Sequence, residues 1–198
     1  MGLWNRVFAA SYDPLVARAE RRGLAHVRHV LLAHARGRVL EIGAGTGLNV
    51  AHYPAGTDVT YTEPDPHMAN RLRARGVAVV QAGAESLPFA DGSFDTVVST
   101  LVFCTVLDVQ SALREVRRVL RPGGQLLFLE HVRAEPGSSL GWWQDRLNRP
   151  WHAIACGCNC NRDLLGSLAE ESFSVVGSNH EWKFMPAIVR PIVTGVAS

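Results

Sequence analysis

The segment Arg38-Val-Leu-Glu-Ile42, followed at once by Gly43-Ala-Gly45-Thr-Gly47, constrains this chain of 198 residues more than any other feature. A short apolar run ending in clustered glycines reads as a buried strand that empties into a tight loop. Glycine permits both the turn and a close ligand approach that a side chain would block. Strand and helix patterns alternate around it. Residues 15–33 carry apolar side chains at mostly helical spacing, and a short helix is expected after the glycine loop. Residues 58–63 read as a second strand stopped by Pro64 and Pro66, and a helix around 67–75 leads to a third strand at 77–81. Residues 94–100 and 125–130 are the fourth and fifth strands, separated by a helix at 110–120 and the Arg121-Pro-Gly-Gly124 turn. Helices at 139–155 and 162–171 precede two final strands at 173–179 and 191–197. The alternation predicts an α/β layer sandwich with a doubly wound, mostly parallel sheet, and the closing strand-loop-strand predicts an antiparallel edge.

Length favours one domain over 1–198, with a helical lid at 1–33 and a helical insertion at 131–172 on the acceptor side. A formal net charge of +2 gives no electrostatic case for nucleic acid. No apolar run reaches the roughly 20 residues that span a bilayer, and the first residues lack the pattern of a secretory signal. The expected compartment is the cytoplasm, where Cys104, Cys156, Cys158 and Cys160 stay reduced.

In such a sheet, ligands sit at the carboxyl ends of the strands. Glu63, at the end of the second strand, is placed to accept hydrogen bonds from ribose hydroxyls. A dinucleotide fingerprint would need glycine at position 48, which is Leu48. The spacing here is instead G-x-G-x-G, with Glu41 two positions before the first glycine. An acid there suits the cationic methionine end of S-adenosyl-L-methionine (SAM) and does nothing for a pyrophosphate. NAD and a ligand-free turn remain the alternatives. Glu85, in the loop after the third strand, reaches toward an adenine amino group or is a solvated loop acid. Asp95 either buttresses the site or serves backbone hydrogen bonds alone.

The set Glu41-Ile-Gly-Ala-Gly-Thr-Gly47, Ser86-Leu-Pro-Phe, Ser93-Phe-Asp-Thr-Val and Val119-Leu-Arg-Pro-Gly-Gly124 resembles the class I SAM-dependent methyltransferases. The resemblance implies a seven-stranded Rossmann-like sheet whose last strand is antiparallel. It also implies methionine contacts at Gly43 and Gly45, ribose contacts at Glu63, and adenine contacts near Ala84 and Glu85. The full expected cofactor set is Tyr12, Glu41, Gly43, Ala44, Gly45, Asn49, Glu63, Pro64, Gly83, Ala84, Glu85 and Leu101.

Thr100-Leu-Val-Phe-Cys104, Leu129-Glu-His-Val132, Trp143-Gln144, Pro150-Trp-His152 and Gly157-Cys-Asn159 with Arg162 are similar to the methyltransferase-like 7 proteins, thiol S-methyltransferases of animals with bacterial relatives. The animal members carry a hydrophobic amino-terminal anchor. Here Leu3, Trp4, Val7 and Phe8 beside Arg6 read as a lid helix over the cofactor with Tyr12 near its methionine end; a peripheral membrane contact is the other reading.

The implied function is methyl transfer from SAM to a small apolar acceptor, most readily a thiol, whose pKa near 8.5 leaves part of it ionised at neutral pH. A lipid amine, a phenol or a quinone-like carbon is the alternative acceptor, and a non-catalytic SAM-binding module the alternative class. His131 and His152 are the catalytic candidates, with Trp143 and Trp151 as an apolar acceptor pocket. Cys156-Gly-Cys158-Asn-Cys160 has no second cluster at zinc spacing, so no metal is expected, and Cys104 is expected to pack in the core. Oligomeric state is not legible.

Overall fold

The computed structural model describes residues 2–182 and 184–198. Its centre is a six-stranded sheet: β1 (Arg38–Ile42), β2 (Asp58–Tyr61), β3 (Phe94–Thr100), β4 (Leu120–His131), β5 (Val175–Glu181) and β6 (Pro191–Ala197), in the order β2-β1-β3-β4-β6-β5. The first four are parallel, and β6 runs antiparallel between β4 and β5. The expected antiparallel edge and Rossmann-like order are present.

Among the described residues the expected seventh strand is not. Of residues 77–81 only Val80 joins the sheet, through one parallel bridge to Thr62 with Val80 N donating to Tyr61 O and Glu63 N to Val80 O. This segment follows the Gly76 turn (φ +80°), has one neighbour only, and exposes Ala78 and Gln81. Val77 and Val79 still pack on the cluster of Ala44, Tyr61 and Leu72, but backbone pairing stops at Val80. The helix expected after the glycine loop is likewise reduced to one 3₁₀ turn, Val50–His52.

Alternation along the strands supplies both faces of the core. In β4, Leu126 and Phe128 join Phe94, Val97 and the helix face of α4 (Val109–Val119), while Leu127 and Leu129 join Val39, Val98 and α2 (Ala25–Leu32). α4 presents Val109, Ala112, Leu113, Val116 and Val119, the spacing of one helical stripe. Its amino end is capped by Asp108, which accepts from Gln110 N and Ser111 N. The Arg121-Pro-Gly-Gly124 turn lies inside β4 as a bulge: Leu120 pairs with Phe94 and Gln125 with Thr96, so four residues loop out.

Helix α1 (Leu3–Ala19) leads into α2 through a π turn at Glu20–Leu24 with Gly23 at φ +138°. Helix α3 (Pro66–Ala74) follows β2, while α5 (Ser139–Ile154) and α6 (Leu164–Glu170) connect β4 to β5. No described helix is long and apolar enough to cross a membrane.

Candidate active site

The glycine loop leaves β1 at the carboxyl end of the sheet and is tied to β2, with Ala44 N donating to Thr62 O at 2.8 Å. Gly43 and Gly45 sit at φ +56° and +57°, the left-handed region that L side chains avoid. The two differ in what a side chain would meet. A Cβ at Gly43 would lie 2.7 Å from both methyl groups of Val102, whereas one at Gly45 would find only Gly43 O, at 4.0 Å. Gly45 therefore keeps an open face free for a ligand.

Glu63 borders that face. One carboxylate oxygen accepts from Gly45 N (2.8 Å) and the other from Asp65 N (2.8 Å), and burial raises its pKa. This cradle fits SAM: open glycine backbone for the methionine end and an acid at the end of β2 for the ribose. Glu41, by contrast, is turned beneath the loop. It accepts from Asn49 Nδ2 (3.0 Å) and the Tyr53 hydroxyl (2.6 Å), and burial pushes its pKa up to about 7 despite those bonds. The Asn49 carbonyl oxygen accepts from buried Arg28, which also pairs with Glu20. Glu41, Asn49, Arg28 and Thr100 thus form one buried hydrogen-bond network at the carboxyl ends of β1 and β3.

The Ser86-Leu-Pro-Phe segment is clasped by α4: Glu115 accepts from Leu87 N, and Arg118 donates to Leu87 O and Phe89 O. Gly83, Ala84 and Glu85 precede it on the same loop, and Glu85 accepts from Leu107 N at 2.8 Å. Leu101, at φ +61°, begins the loop after β3. That strained backbone is held by Leu101 N donating to Leu129 O, while Ser99 and Val102 N both donate to buried Glu130. Pro64 is exposed beside Glu63. Asp95 lies at the other end of the sheet, where it accepts from Arg38 N and pairs with Arg121, so it buttresses the strand start rather than the site.

α1 is tied to this region. Asp13 accepts from the Thr46 hydroxyl in the glycine loop and pairs with Arg75 after α3, while Asn5 donates to Asp65. At the far end, Trp4 Nε1 donates to Ile154 O of α5. Tyr12 lies on this helix among Arg28, Glu20, Cys104 and Cys158, and burial pushes its phenol up to about 12.

On the acceptor side, His131 ends β4, buried, with Nε2 3.0 Å from Cys158 Sγ. Cys104 completes the group, the three donor atoms lying within 4.8 Å of one another. The thiol of Cys158 is drawn well below its ordinary range by hydrogen bonds from Cys104, His131 and Trp151, against burial. Burial is the largest single influence on His131 and lowers it, but Cys158 and the Glu130 carboxylate together raise it overall. Its Nδ1 and Glu130 Oε2 are buried without partners among the described residues. Cys104 is buried as expected, yet its sulfur faces this group rather than apolar neighbours alone.

The remaining candidates separate. His152 is exposed on α5 beside Gly157 and does not join His131. Trp143 packs edge-to-face on Trp142 at the surface, half exposed, while Trp151 turns inward and donates from Nε1 to Cys158 at 3.1 Å. The two tryptophans thus sit in different surroundings. Sequence reasoning missed the meeting of Cys104, His131 and Cys158, which come from the loop after β3, the end of β4 and the loop after α5. It also missed Asn159, whose backbone and side-chain N–H groups both donate to Cys104 O. Only the odd Gly-Cys-Asn triplet marked that loop.

Comparison with known proteins agrees with this geometry. A methyltransferase domain family matches residues 40–128. Human thiol S-methyltransferase TMT1A is 34% identical over an alignment covering 100% of this chain and 89% of that protein. Human thiol S-methyltransferase TMT1B is 39% identical, with 84% of this chain and 73% of that protein covered. Among solved structures, a SAM-dependent methyltransferase from Thermotoga maritima superposes with a TM-score of 0.75 at 24% identity, covering 100% of this chain and 99% of the other, a likeness of fold. With its glycine cradle, strand-end acid and tethered helix, this chain belongs to the SAM-dependent methyltransferases, in the family that includes human TMT1A and TMT1B.

Proposed function

We propose that this methyltransferase acts on the sulfur of a small, apolar thiol. The observation that carries this reading is the buried group of two thiols and an imidazole beside the cofactor cradle: Val102 packs against Gly43, and Cys104, two residues later on the same loop, meets His131 and Cys158. A thiol, partly ionised at neutral pH, needs little help to lose its proton and is compatible with a mostly sulfur-lined site. The names of the relatives point the same way.

SAM, when bound, supplies a methyl group on an electrophilic sulfonium. The backbone of Gly43, Ala44 and Gly45 holds the methionine end, with Glu41 and Asn49 in the buried network at the ends of β1 and β3. Glu63 accepts from the ribose hydroxyls, and Pro64, Gly83, Ala84, Glu85 and Leu101 border the adenosine. Tyr12 and the rest of α1 exclude water from the sulfonium side, which favours displacement over hydrolysis. His131 and Cys158 set the position of the acceptor sulfur, and alignment supplies much of the rate in such a one-step displacement. His152, on the surface, has no part in this arrangement.

The test is S-adenosylhomocysteine formation with purified protein, SAM and a panel of alkyl and aryl thiols beside amine, phenol and quinol controls. Turnover confined to thiols is expected. Turnover confined to a control would keep the methyltransferase and discard the thiol.

A further inference from the structure

We propose that Cys104, His131 and Cys158 bind a zinc ion whose fourth coordination position takes the acceptor thiol as a thiolate. This rests on the thiol reading above and specifies how the acceptor sulfur is activated.

Two sulfurs and an imidazole form a donor set that zinc favours. All three donor atoms lie within 4.8 Å of one another, and all three residues are buried. Zinc–sulfur and zinc–nitrogen bonds of about 2.3 and 2.0–2.1 Å would set neighbouring donors roughly 3.5–3.8 Å apart. The Cys158–His131 separation of 3.0 Å then needs to open by only about half an ångström.

The number of ligands is as informative as their type. Structural zinc sites are closed by four protein ligands; three plus an open position is the catalytic pattern. Among the described residues no fourth histidine, cysteine or carboxylate joins the group. Cys160, the obvious sequence candidate, turns its sulfur to Gln144 O and Asn148 Oδ1 instead.

The scaffold around the cluster is already assembled. Asn159 clamps the Cys104 carbonyl with two N–H groups at 2.7 and 3.1 Å, joining the loop after β3 to the loop after α5. Trp151 donates to Cys158 Sγ, the kind of outer contact that steadies a metal thiolate. The backbone also pays strain to aim this loop, with Cys156 at φ +47°.

Chemically, a thiol R–SH would bind the open position and release its proton to water, because coordination deprotonates a thiol. A lone pair of the bound sulfur then forms the new S–CH3 bond as the sulfonium carbon–sulfur bond breaks, giving R–S–CH3 and S-adenosylhomocysteine. Zinc keeps its oxidation state, and the neutral thioether, a weak ligand, departs.

The experiment titrates the full chain with Zn²⁺ and with Co²⁺, then adds ethanethiol to the cobalt form. Expected are one equivalent of metal, a thiolate-to-cobalt charge-transfer band with the intense visible bands of tetrahedral cobalt, and a shift of those bands on thiol addition. C104S and C158S should lose the stoichiometric site and C156S should keep it, folding being checked by circular dichroism. A full chain that binds no more metal than C104S and C158S overturns the proposal, as does an octahedral cobalt spectrum or one blind to ethanethiol. Thiol methylation at an unchanged rate after zinc removal overturns the zinc role while leaving the thiol reading standing. Methylation of a control acceptor alone, with zinc bound, overturns both.

Discussion

The cofactor side and the acceptor side of this molecule meet at the same end of one sheet but are built by different means. The heart of the proposed cofactor side is largely backbone: glycines at positive φ and strand-end amides within residues 41–65, joined by the Glu63 carboxylate. The acceptor side is made of side chains from residues 104, 131 and 158, which share no local pattern and meet only when the sheet and α5 are in place. A backbone cradle tolerates few changes and recognises one ligand. A side-chain cluster can be altered one atom at a time, which is where acceptor choice can vary without loss of SAM.

That contrast is sharpest under substitution. Gly45→Val would place a branched side chain on the open face at φ +57°. It should weaken SAM binding on the order of 100-fold, about 2.8 kcal/mol at 1.4 kcal/mol per tenfold, measured by calorimetry. Glu63→Ala removes the acid from the same cradle and should cost roughly 10- to 100-fold in SAM affinity, the range of hydrogen bonds to a charged group. If either variant instead lost thiol turnover with SAM affinity intact, the division between the two sides would fail.

Glu41 offers a pH test of its buried network. The folded protein keeps its proton up to about pH 7, while the unfolded chain releases it near the ordinary carboxylate value of 4.5. The folded state therefore holds the extra proton between those values. Its contribution is present below the unfolded pKa and is lost as pH rises through about 7. The unfolding free energy measured by denaturant titration should fall across that window by an amount on the order of 3 kcal/mol, and E41Q should flatten the slope.

On the acceptor side, Trp151→Phe removes one N–H from Cys158. It should lower kcat/KM for the thiol roughly 3- to 10-fold, the worth of one neutral hydrogen bond, and leave SAM affinity unchanged. The smallest effect is expected from Asp13→Asn, which weakens a half-exposed tie between lid and glycine loop. SAM dissociation should quicken only a few-fold in stopped flow.

The same contrast decides how much was legible in the sequence. Strands β1 to β4, the glycine loop and Glu63 could be read because each depends on neighbours a few residues away. The strand at 77–81 was over-read: its alternation is adequate, but an edge position with one bridge at Val80 cannot be seen from residues alone. Asp95 could be read as a buttress of the site or as an acceptor for backbone hydrogen bonds alone, and its bonds to Arg38 N and Arg121 lie at the strand start, away from the site. Cys158 looked like part of a Cys-x-Cys-x-Cys run, yet the fold pairs it with Cys104 and His131 and sends Cys160 elsewhere. Helical and loop geometry between residues 139 and 160 decides that, and no short motif encodes it.

The most direct test of the account is methyl transfer from isotope-labelled SAM to ethanethiol, with the product identified by mass spectrometry. The account predicts labelled methyl ethyl sulfide formed together with S-adenosylhomocysteine. Label appearing only on the amine, phenol or quinol controls, or S-adenosylhomocysteine with no labelled sulfide, would contradict it.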